Sequence, residues 1–532
     1  MRRVFYRGLI VVFVQVVFVS MAFSQPVYKQ SFKFAKFLDY LYSYYVDTVN
    51  ASDVVEEAIV NILDELDPHS TYIPADELKK MREPLQGNFE GIGISFNILK
   101  DTLYVISAIS GGPSEKVGVR AGDKIVKVDG DNIAGIGITN EDVFSLLRGK
   151  KGTKVTITVL RKNNKELLDF TIVRDKIPIF SIDASYMINE NTGYIKINRF
   201  SATTIKEFSE AAIALKEKNA QNLVLDLTGN GGGYLDAAVK LADEFLPANR
   251  LVVYTEGANS PKREYLTTSA GRFENGKIIV LIDEGSASAS EIVSGAIQDW
   301  DRGIVLGRRS FGKGLVQREM LLPDESAVRI TIARYYTPSG RLIQKPFING
   351  SEEYHLEIYS RYSKGELASK DSIDFPDSLM HTTLVKERAV FGGGGIMPDI
   401  FIPFDTTYYS DYYRDLIRKG IINEFILEYV DNNRDKLLKA YPQFQAFKKG
   451  YTLSDKLFER FIIYAEKEGL VRDDEALEVS GAQIKLMLKA FMARDIYGRS
   501  EFFEIYNTST ETYLKALDVL RDWDTYYQEV FY

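Results

Sequence analysis

The sequence predicts a multidomain α+β protein with a helical N-terminal segment, a β-rich module, an α/β core and a helical C-terminal domain. Its 532 residues suffice for roughly three or four domains of about 150 residues each. With 45% hydrophobic and 26% charged residues, the chain has a globular rather than a disordered composition. The apolar pattern changes along the chain from helical spacing to short β-rich runs, then to interleaved strands and helices, and finally back to helical spacing.

Charge and residue inventory exclude several classes of function. The 66 Lys and Arg residues against 74 Asp and Glu residues give a formal net charge of -8, which argues against general nucleic-acid binding. Because the chain has no cysteine, disulfides, thiolate metal sites and a cysteine nucleophile are excluded. The three histidines, His69, His355 and His381, form no His-Glu-x-x-His pair, so we expect no histidine-built zinc centre.

The first 24 residues have the three-part layout of a secretory signal. Arg2, Arg3 and Arg7 precede an apolar run over residues 9–19, and Ala22 and Ser24 supply small residues before a cut ahead of residue 25. The alternative is an uncleaved membrane anchor, because the apolar stretch approaches the minimum length of a bilayer span. We therefore expect a secreted or periplasmic protein that meets a membrane only if this segment is retained.

Two predicted domains follow this leader. Residues 25–86 form a helical region, since their apolar residues recur at helical spacing and Ser52 is placed as a helix cap. Residues 87–175 form a compact β-rich module, because short β-rich runs are separated by turns that carry Gly, Asp and Asn. These runs are residues 91–96, 103–106, 124–128 and 155–159.

The second half of the chain is predicted to hold an α/β core over residues 176–404 and a helical domain over residues 405–532. In the core, apolar runs typical of buried strands alternate with stretches of helical periodicity. The predicted strands are 194–197, 223–227, 251–254, 278–283 and 304–306, and the predicted helices are 235–245 and 289–300. The tyrosine-rich C-terminal domain, with predicted helices at 416–438, 457–468 and 482–496, carries no catalytic signature and is interpreted as a packing or cap domain.

The β-rich module carries a candidate peptide-binding loop. Gly91 and Gly93 free the backbone to turn its N–H groups toward one point, and Ile92 and Ile94 can line an apolar pocket beside it. Such a nest can capture a C-terminal carboxylate, and the strand that follows can accept an extended peptide along its edge. The run SGGPSEKVGVRAGDKI at residues 110–125, followed by Val-Asp-Gly at 128–130, resembles the PDZ domains of bacterial proteases, with Ser114 where those domains usually carry Ala.

Two segments of the α/β core could carry a reaction. GSASASEI at residues 285–292 places small residues between a buried strand and a helix, where a serine hydroxyl can be presented beside an unpaired backbone N–H. GRRSFGKGLVQ at residues 307–317 sets a lysine between two glycines. A desolvated lysine can replace histidine as the base for a serine nucleophile. From spacing alone, ordinary helix-cap serines and a solvated loop lysine remain open alternatives.

These two segments belong to a wider resemblance. Together with DPHSTY at residues 67–72, DLTGNGGG at 226–233 and GGGIMPD at 393–399, they resemble the C-terminal processing peptidases, also called tail-specific proteases, over residues 30 to 404. The resemblance implies a core of the crotonase/Clp-protease type and a serine endopeptidase that acts through an acyl-enzyme without metal or organic cofactor. It also implies that the PDZ module captures free apolar C-termini of polypeptide substrates through residues 91–94.

The resemblance further implies the roles of individual residues. Ser288 is the expected nucleophile, Lys313 the general base and Gln317 the residue that orients the lysine. The oxyanion hole is expected at the N–H of Ala289 and at that of a glycine in the turn, for which we favour Gly232 although Gly233 stays an alternative. Two departures from the family pattern put the geometry of this hole in question: Thr228 replaces the usual Arg and Gly231 the usual Pro.

Two other functions, a nucleotide hydrolase and a non-catalytic binding protein, are less well supported than a peptidase. Gly307 to Lys313 matches most of a phosphate-binding loop, but Gly314 has no hydroxyl for magnesium and the segment that follows it reads as extended rather than helical. The more serious alternative is a non-catalytic PDZ scaffold of the extracytoplasmic space that keeps the fold without catalysis. An activating adaptor or a homo-oligomer is compatible with the sequence, which identifies neither.

Overall fold

The structure of the protein is a computed structural model, described here for residues 28–532 except 110, 163, 165, 269, 270, 349 and 406. The predicted signal segment, residues 1–24, lies outside the described residues. Among the helices of the described part, none combines the length and the apolar character that a bilayer span requires.

Helices and strands follow the predicted order along the chain. The helices are α1 (residues 28–44), α2 (Ala51–Asp64), α3 (Ala75–Gln86), α4 (Pro113–Val117), α5 (Asn140–Leu147), α6 (Thr204–Glu217), α7 (Leu235–Ala242), α8 (Ala289–Asp299), α9 (Ser351–Ser363), α10 (Asp411–Arg418), α11 (Ile421–Ala440), α12 (Phe444–Gly450), α13 (Asp455–Lys467), α14 (Asp474–Ile496), α15 (Arg499–Tyr506), α16 (Glu511–Arg521) and α17 (Trp523–Phe531). The strands are β1 (Thr71–Ile73), β2 (Asn88–Gly91), β3 (Ile94–Leu99), β4 (Thr102–Ala108), β5 (Lys124–Val128), β6 (Asp131–Asn132), β7 (Lys154–Leu160), β8 (Leu168–Val173), β9 (Asp175–Pro178), β10 (Ile182–Met187), β11 (Thr192–Ile197), β12 (Asn222–Asp226), β13 (Leu251–Gly257), β14 (Ser260–Leu266), β15 (Ile278–Ile282), β16 (Ile304–Gly307), β17 (Leu315–Leu321), β18 (Ala327–Tyr336), β19 (Met380–Thr382), β20 (Ala389–Phe391) and β21 (Ile400–Phe401).

The α/β core is built on a sheet in the order β10-β11-β12-β15-β16-β21. All of its pairs are parallel except β10 with β11. Side chains alternate between two buried faces: in β15, Ile278, Val280 and Ile282 join the core cluster that includes α7 and α8, while Ile279 and Leu281 join the cluster on the other face. Strands that are buried on both faces have continuous apolar sequences, which is why the sequence predicts them.

A second sheet lies beside the core and carries the lysine segment. Its order is β1-β18-β13-β14, and β17 pairs with β18. Strand β1, from the N-terminal region, pairs antiparallel with β18, with Tyr72 opposite Val328. Strand β17 pairs with the same residues of β18 from the other edge, so β18 lies between β17 and a segment almost 250 residues upstream.

The β-rich module forms a sheet in the order β3-β4-β5-β7-β8 around its own apolar core. Strand β3 ends this order, so its outer edge is unpaired among the described residues. The module joins the rest of the protein through β2, which pairs with β9. This arrangement leaves β3 available for addition of an extended chain.

The C-terminal region packs in two parts. Helices α10 to α15 surround a core of their own. Helices α16 and α17 instead cover the outer face of the core sheet, where Tyr513, Ala516, Val519 and Phe531 are buried against residues of β11, β12, β15 and β16. The last helices of the chain are therefore part of the packing of the α/β core.

The predicted fold class is confirmed, and one predicted helix and one predicted cap are corrected. The cap of α2 is Asn50 rather than Ser52, which lies inside the helix and donates its N–H to the Asn50 side chain. The apolar pattern over residues 416–438 predicted a single helix, whereas α10 ends at Arg418 and α11 begins at Ile421. Gly420 lies between them with φ of 72°, a left-handed conformation that ends a helix and that glycine adopts without a steric penalty. The domain boundaries at residues 25, 87, 176 and 405 stay predictions.

Truncation of Phe531 tests whether α17 stabilises the core. Its side chain is 2% exposed in the cluster on the outer sheet face, so Phe531→Ala should lower the free energy of unfolding of the core by about 3–5 kcal/mol. Leu514→Ala, at a position that is 41% exposed on α16, is the control and should have a much smaller effect. Urea denaturation followed by circular dichroism measures both; equal midpoints for Phe531→Ala and the parent would contradict this packing.

Candidate active site

A buried carboxylate binds the backbone of both candidate catalytic segments, residues 285–292 and 307–317. Glu291, in the first turn of α8, is fully buried. Its Oε2 accepts hydrogen bonds from the backbone N–H of Ser288 at 2.7 Å and of Lys313 at 2.9 Å. Its Oε1 accepts from the N–H of Gly312 at 2.7 Å and from the hydroxyl of Ser310 at 2.6 Å. One side chain therefore fixes the backbone on both sides of the site.

The three serines of residues 285–292 have different environments. Ser286 and Ser290 are fully buried, and their hydroxyls donate to the carbonyls of Leu227 and Asn230, both at 2.8 Å. Ser288 instead lines a cavity of about 480 Å³. Its φ of 53° and ψ of -109° are a sparsely populated conformation for a residue with a Cβ, of the kind found at functional sites. The structure thus singles out Ser288 among the three.

Lys313 lines the same cavity and is held by Gln317. The lysine Nζ donates to Oε1 of Gln317 at 3.1 Å, and Nε2 of Gln317 donates to the carbonyl of His69 at 2.7 Å. Burial lowers the pKa of Lys313, and the positive charge of Arg329 lowers it further, against the opposite effects of Asp67 and Glu291. The lysine is therefore poised toward its neutral, proton-accepting form.

The N-terminal segment around Asp67 fixes the carbonyl that Gln317 uses. The carboxylate of Asp67 accepts from the N–H of His69 and of Ser70, both at 2.9 Å, and from the Ser70 hydroxyl at 2.6 Å. Burial lowers the pKa of His69 to about 4, and its Nε2 lies 2.8 Å from the hydroxyl of Tyr354. His69 is thus neutral and engaged elsewhere, so it contributes its backbone carbonyl rather than its ring.

The glycine turn after β12 closes the cavity beside Ser288. A Cβ on Gly232 would lie 2.8 Å from Cβ of Ser288, and the residue has φ of +98°, so only glycine fits there. The N–H of Gly232 donates to Oδ1 of Asn230 at 2.9 Å, whereas Gly233 lines the cavity. Within the part of the chain described, the N–H groups of Gly233 and Ala289 donate to no other protein group.

The two departures from the family pattern fall in different places. The hydroxyl of Thr228 donates to Oδ1 of Asp226 at 2.6 Å and accepts from Nζ of Lys196 at 2.9 Å. Both partners lie with Thr228 in another cavity, at the boundary with the C-terminal helices. Gly231, by contrast, lines the cavity of Ser288. Only the second departure touches the candidate active site.

The peptide-binding loop lies in the β-rich module, and none of its described residues lines the cavity of Ser288. Gly91 ends β2, Gly93 has φ of 76°, and Ile94 begins β3. The carbonyl of Ile92 accepts from the N–H and the hydroxyl of Ser114 at 3.1 and 2.6 Å. The structure therefore brings Ser288, Lys313, Gln317, Ala289, Gly232 and Gly233 to one site and leaves residues 91–94 at a second.

Two functional contacts were missed from the sequence. Glu291 stands three residues after Ser288, the spacing of a capping box, and that signal could have identified its bond to the N–H of Ser288. Its bonds to Gly312 and Lys313 join residues more than 20 positions apart, and no local pattern reveals them. The carbonyl of His69 is a backbone group, which leaves no trace in the residue type.

The α/β core and the β-rich module each match the model of a known family. Residues 191–351 match the model of Peptidase family S41, and residues 91–172 match the PDZ domain. The carboxy-terminal-processing protease of Bartonella bacilliformis is 38% identical over 60% of this chain and 74% of its own length. This chain belongs to the C-terminal processing peptidases of family S41. It is accordingly a serine-type endopeptidase with a PDZ domain.

A second bacterial relative and one solved structure are also similar to this peptidase. The carboxy-terminal processing protease CtpA of Bacillus subtilis is 33% identical over 62% of this chain and 70% of its own length. The solved structure of the photosystem II D1 C-terminal processing protease is 28% identical, covers 57% of this chain and 82% of that chain, and has a TM-score of 0.33, too low to carry an argument. Residues 412–498 of this S41 peptidase match a family of unknown function.

The close approach of Gly232 to Ser288 can be tested by adding a single methyl group. In Gly232→Ala the new Cβ would press on Ser288 and on the carbonyl of Ala287, so cleavage of a peptide substrate should fall by about a hundredfold or more. Gly229→Ala is the matched control: this residue also has positive φ, of +68°, but a Cβ would find nothing within 4 Å. If both variants lost activity equally, backbone strain rather than the approach to Ser288 would be responsible.

A carboxylate in place of the Gln317 amide tests the lysine's environment. Gln317→Glu would put a negative charge against Nζ of Lys313, which raises the lysine pKa. The rise of kcat/KM with pH should then move to higher pH by about one unit or more. Gln528→Glu, on the exposed surface of α17, makes the same charge change and should leave the profile unmoved. An unshifted profile in Gln317→Glu would show that this lysine does not set the pH dependence.

Proposed function

We propose that the peptidase cleaves peptide bonds with a Ser288/Lys313 dyad. The observation that carries this proposal is that both side chains line one cavity while Glu291 holds the backbone N–H of both residues. Gln317 orients the lysine, and burial favours its neutral form. No histidine ring is needed, which accords with the engagement of His69 by Tyr354.

The reaction uses the groups around the cavity in turn. Neutral Lys313 accepts the proton of the Ser288 hydroxyl as the oxygen attacks a peptide carbonyl. The N–H groups of Ala289 and Gly233 stabilise the oxyanion of the tetrahedral intermediate, since that of Gly232 is occupied by Asn230. The protonated lysine gives its proton to the leaving amine. Water then attacks the ester carbonyl while Lys313 accepts its proton; the bond to the Ser288 oxygen breaks, the lysine returns the proton to that oxygen, and the acid product leaves.

The apolar part of the cavity lining suits an apolar substrate segment, beside the charged residues Arg82, Glu319 and Arg329 that line the rest. Leu85, Leu235, Ile292, Leu315 and Val316 line it together with the dyad. Burial of one fully enclosed apolar side chain is worth about 1.5–3 kcal/mol. The substrate class is therefore a polypeptide with apolar side chains near the scissile bond.

The PDZ domain supplies a second selection step. We infer that the loop at residues 91–94 captures a free carboxylate and that the open edge of β3 pairs with the chain before it. The adjacent isoleucines favour an apolar last residue. Substrates are then recognised by their C-termini and cut at the dyad, outside the cytoplasm if residues 1–24 act as the predicted leader. An activating adaptor and a homo-oligomer stay predictions.

Cleavage of a tailed reporter tests the dyad and the tail together. Residues 25–532 should cut a loosely folded reporter with an apolar free C-terminus, and Ser288→Ala and Lys313→Ala should each lose nearly all of the rate, because nucleophile and base act as one unit. Ser290→Ala, which removes another hydroxyl of the segment, should keep most of it. Mass spectrometry identifies the products.

Three other results would change the assignment. Equal cleavage by all variants would remove Ser288 and Lys313 from the mechanism. An uncut reporter whose tail still binds the parent would favour the scaffold reading. An amidated tail that is cut as fast as the free one would contradict carboxylate capture.

A further inference from the structure

The helical region of residues 411–506 has a small groove next to the PDZ domain. It lies between α11 and α13 and has a volume of about 270 Å³. Its walls include Phe425, Tyr429, Ile463 and Tyr464, and its charged residues carry both signs. Ile463 is 44% exposed. A groove of this size fits one large side chain rather than a whole ligand. Because its charged residues carry both signs, it favours neither an acidic nor a basic side chain.

Helix α11 also forms the contact with the PDZ domain. Nζ of Lys100, at the turn after β3, lies 4.0 Å from a carboxylate oxygen of Glu428, which lines the groove. Nζ of Lys162, after β7, donates to Oδ1 of Asn432 at 2.6 Å. The turn of α11 at Glu428, which lines the groove, therefore lies beside the end of β3, and the next turn, at Asn432, lies beside the end of β7.

A bound tail would run toward this groove. Its carboxylate lies at residues 91–94, before β3, so its upstream residues follow β3 antiparallel toward Lys100. Strand β3 has six residues, about 20 Å at 3.3 Å per residue. The tail residue about six to eight positions before the C-terminus consequently reaches the side of α11.

We propose that the groove between α11 and α13 binds an apolar or aromatic side chain six to eight residues upstream of the captured C-terminus. This proposal rests on tail capture by the PDZ domain. The helical region then contributes to substrate recognition together with the PDZ domain, and the specificity for the tail extends beyond its last few residues. Tyr429 and Tyr464 provide the walls, and Ile463 the exposed rim.

A length series of peptides tests the groove. Isothermal titration of Ser288→Ala, residues 25–532, would compare a five-residue apolar tail with a ten-residue tail that carries Phe at the seventh position from the end, and with the same ten-residue tail carrying Ser there. The Phe peptide should bind about five- to tenfold more tightly than the other two, less than full burial of an apolar side chain gives, because the rim residue Ile463 is 44% exposed. Ile463→Ser should remove this advantage and leave binding of the short tail unchanged. Val479→Ser, at a position that is 48% exposed on α14 and outside the groove, is the matched control and should keep the advantage.

The outcomes separate this proposal from the one on which it rests. If the short tail binds but the Phe peptide gains nothing, the groove is not a subsite while tail capture stands. A gain that persists in Ile463→Ser places the upstream side chain elsewhere and also overturns the proposal. If no peptide binds, tail capture itself fails, and the subsite with it.

Discussion

The carboxylate of Glu291 is the interaction on which the geometry of the site depends. It is buried completely, and burial raises its pKa to about 7. A buried carboxylate is tolerated only when hydrogen-bond donors replace its hydration. Here each carboxylate oxygen accepts two hydrogen bonds, and the four donors are the N–H groups of Ser288, Gly312 and Lys313 and the Ser310 hydroxyl. Because the serine segment follows β15 and the lysine segment follows β16, this one group sets the distance between two separate loops.

The lysine side chain has a second support of a different origin. Gln317 lies on β17 and reaches the carbonyl of His69, whose own loop is shaped by Asp67. Thr331, on the neighbouring strand β18, donates its hydroxyl to the same carboxylate at 3.0 Å. The position of the Lys313 side chain thus depends on pairing between β1 and β18, so the N-terminal region supports the candidate active site.

Sequence patterns predicted the features that depend on neighbouring residues and missed those that depend on contacts between distant parts of the chain. The strands of the core were predicted because burial on both faces makes them continuously apolar, as in β15. The break between α10 and α11 was missed because the apolar spacing continues across Gly420. The choice among Ser286, Ser288 and Ser290 came from family resemblance, since the three have the same residue type. The structure distinguishes them by the carbonyls that accept from Ser286 and Ser290 and by the cavity that Ser288 lines. The partner of the Gly232 N–H was equally invisible before the turn was seen.

The C-terminal region connects domains by contacts of unequal strength. Helices α16 and α17 hold their place through apolar side chains buried in the core sheet, which is the stronger kind of attachment. The contact of α11 with the PDZ domain rests instead on polar groups at the surface, such as Lys100 and Glu428, whose side chains are 75% and 58% exposed. Exposed ion pairs contribute about 0–1 kcal/mol. Helices α16 and α17 are consequently fixed to the peptidase core, while the ion pair between α11 and the PDZ domain contributes little to the position of that domain. A tail that bridged β3 and α11 would strengthen the weaker of the two attachments, so substrate binding and the position of the PDZ domain would be linked.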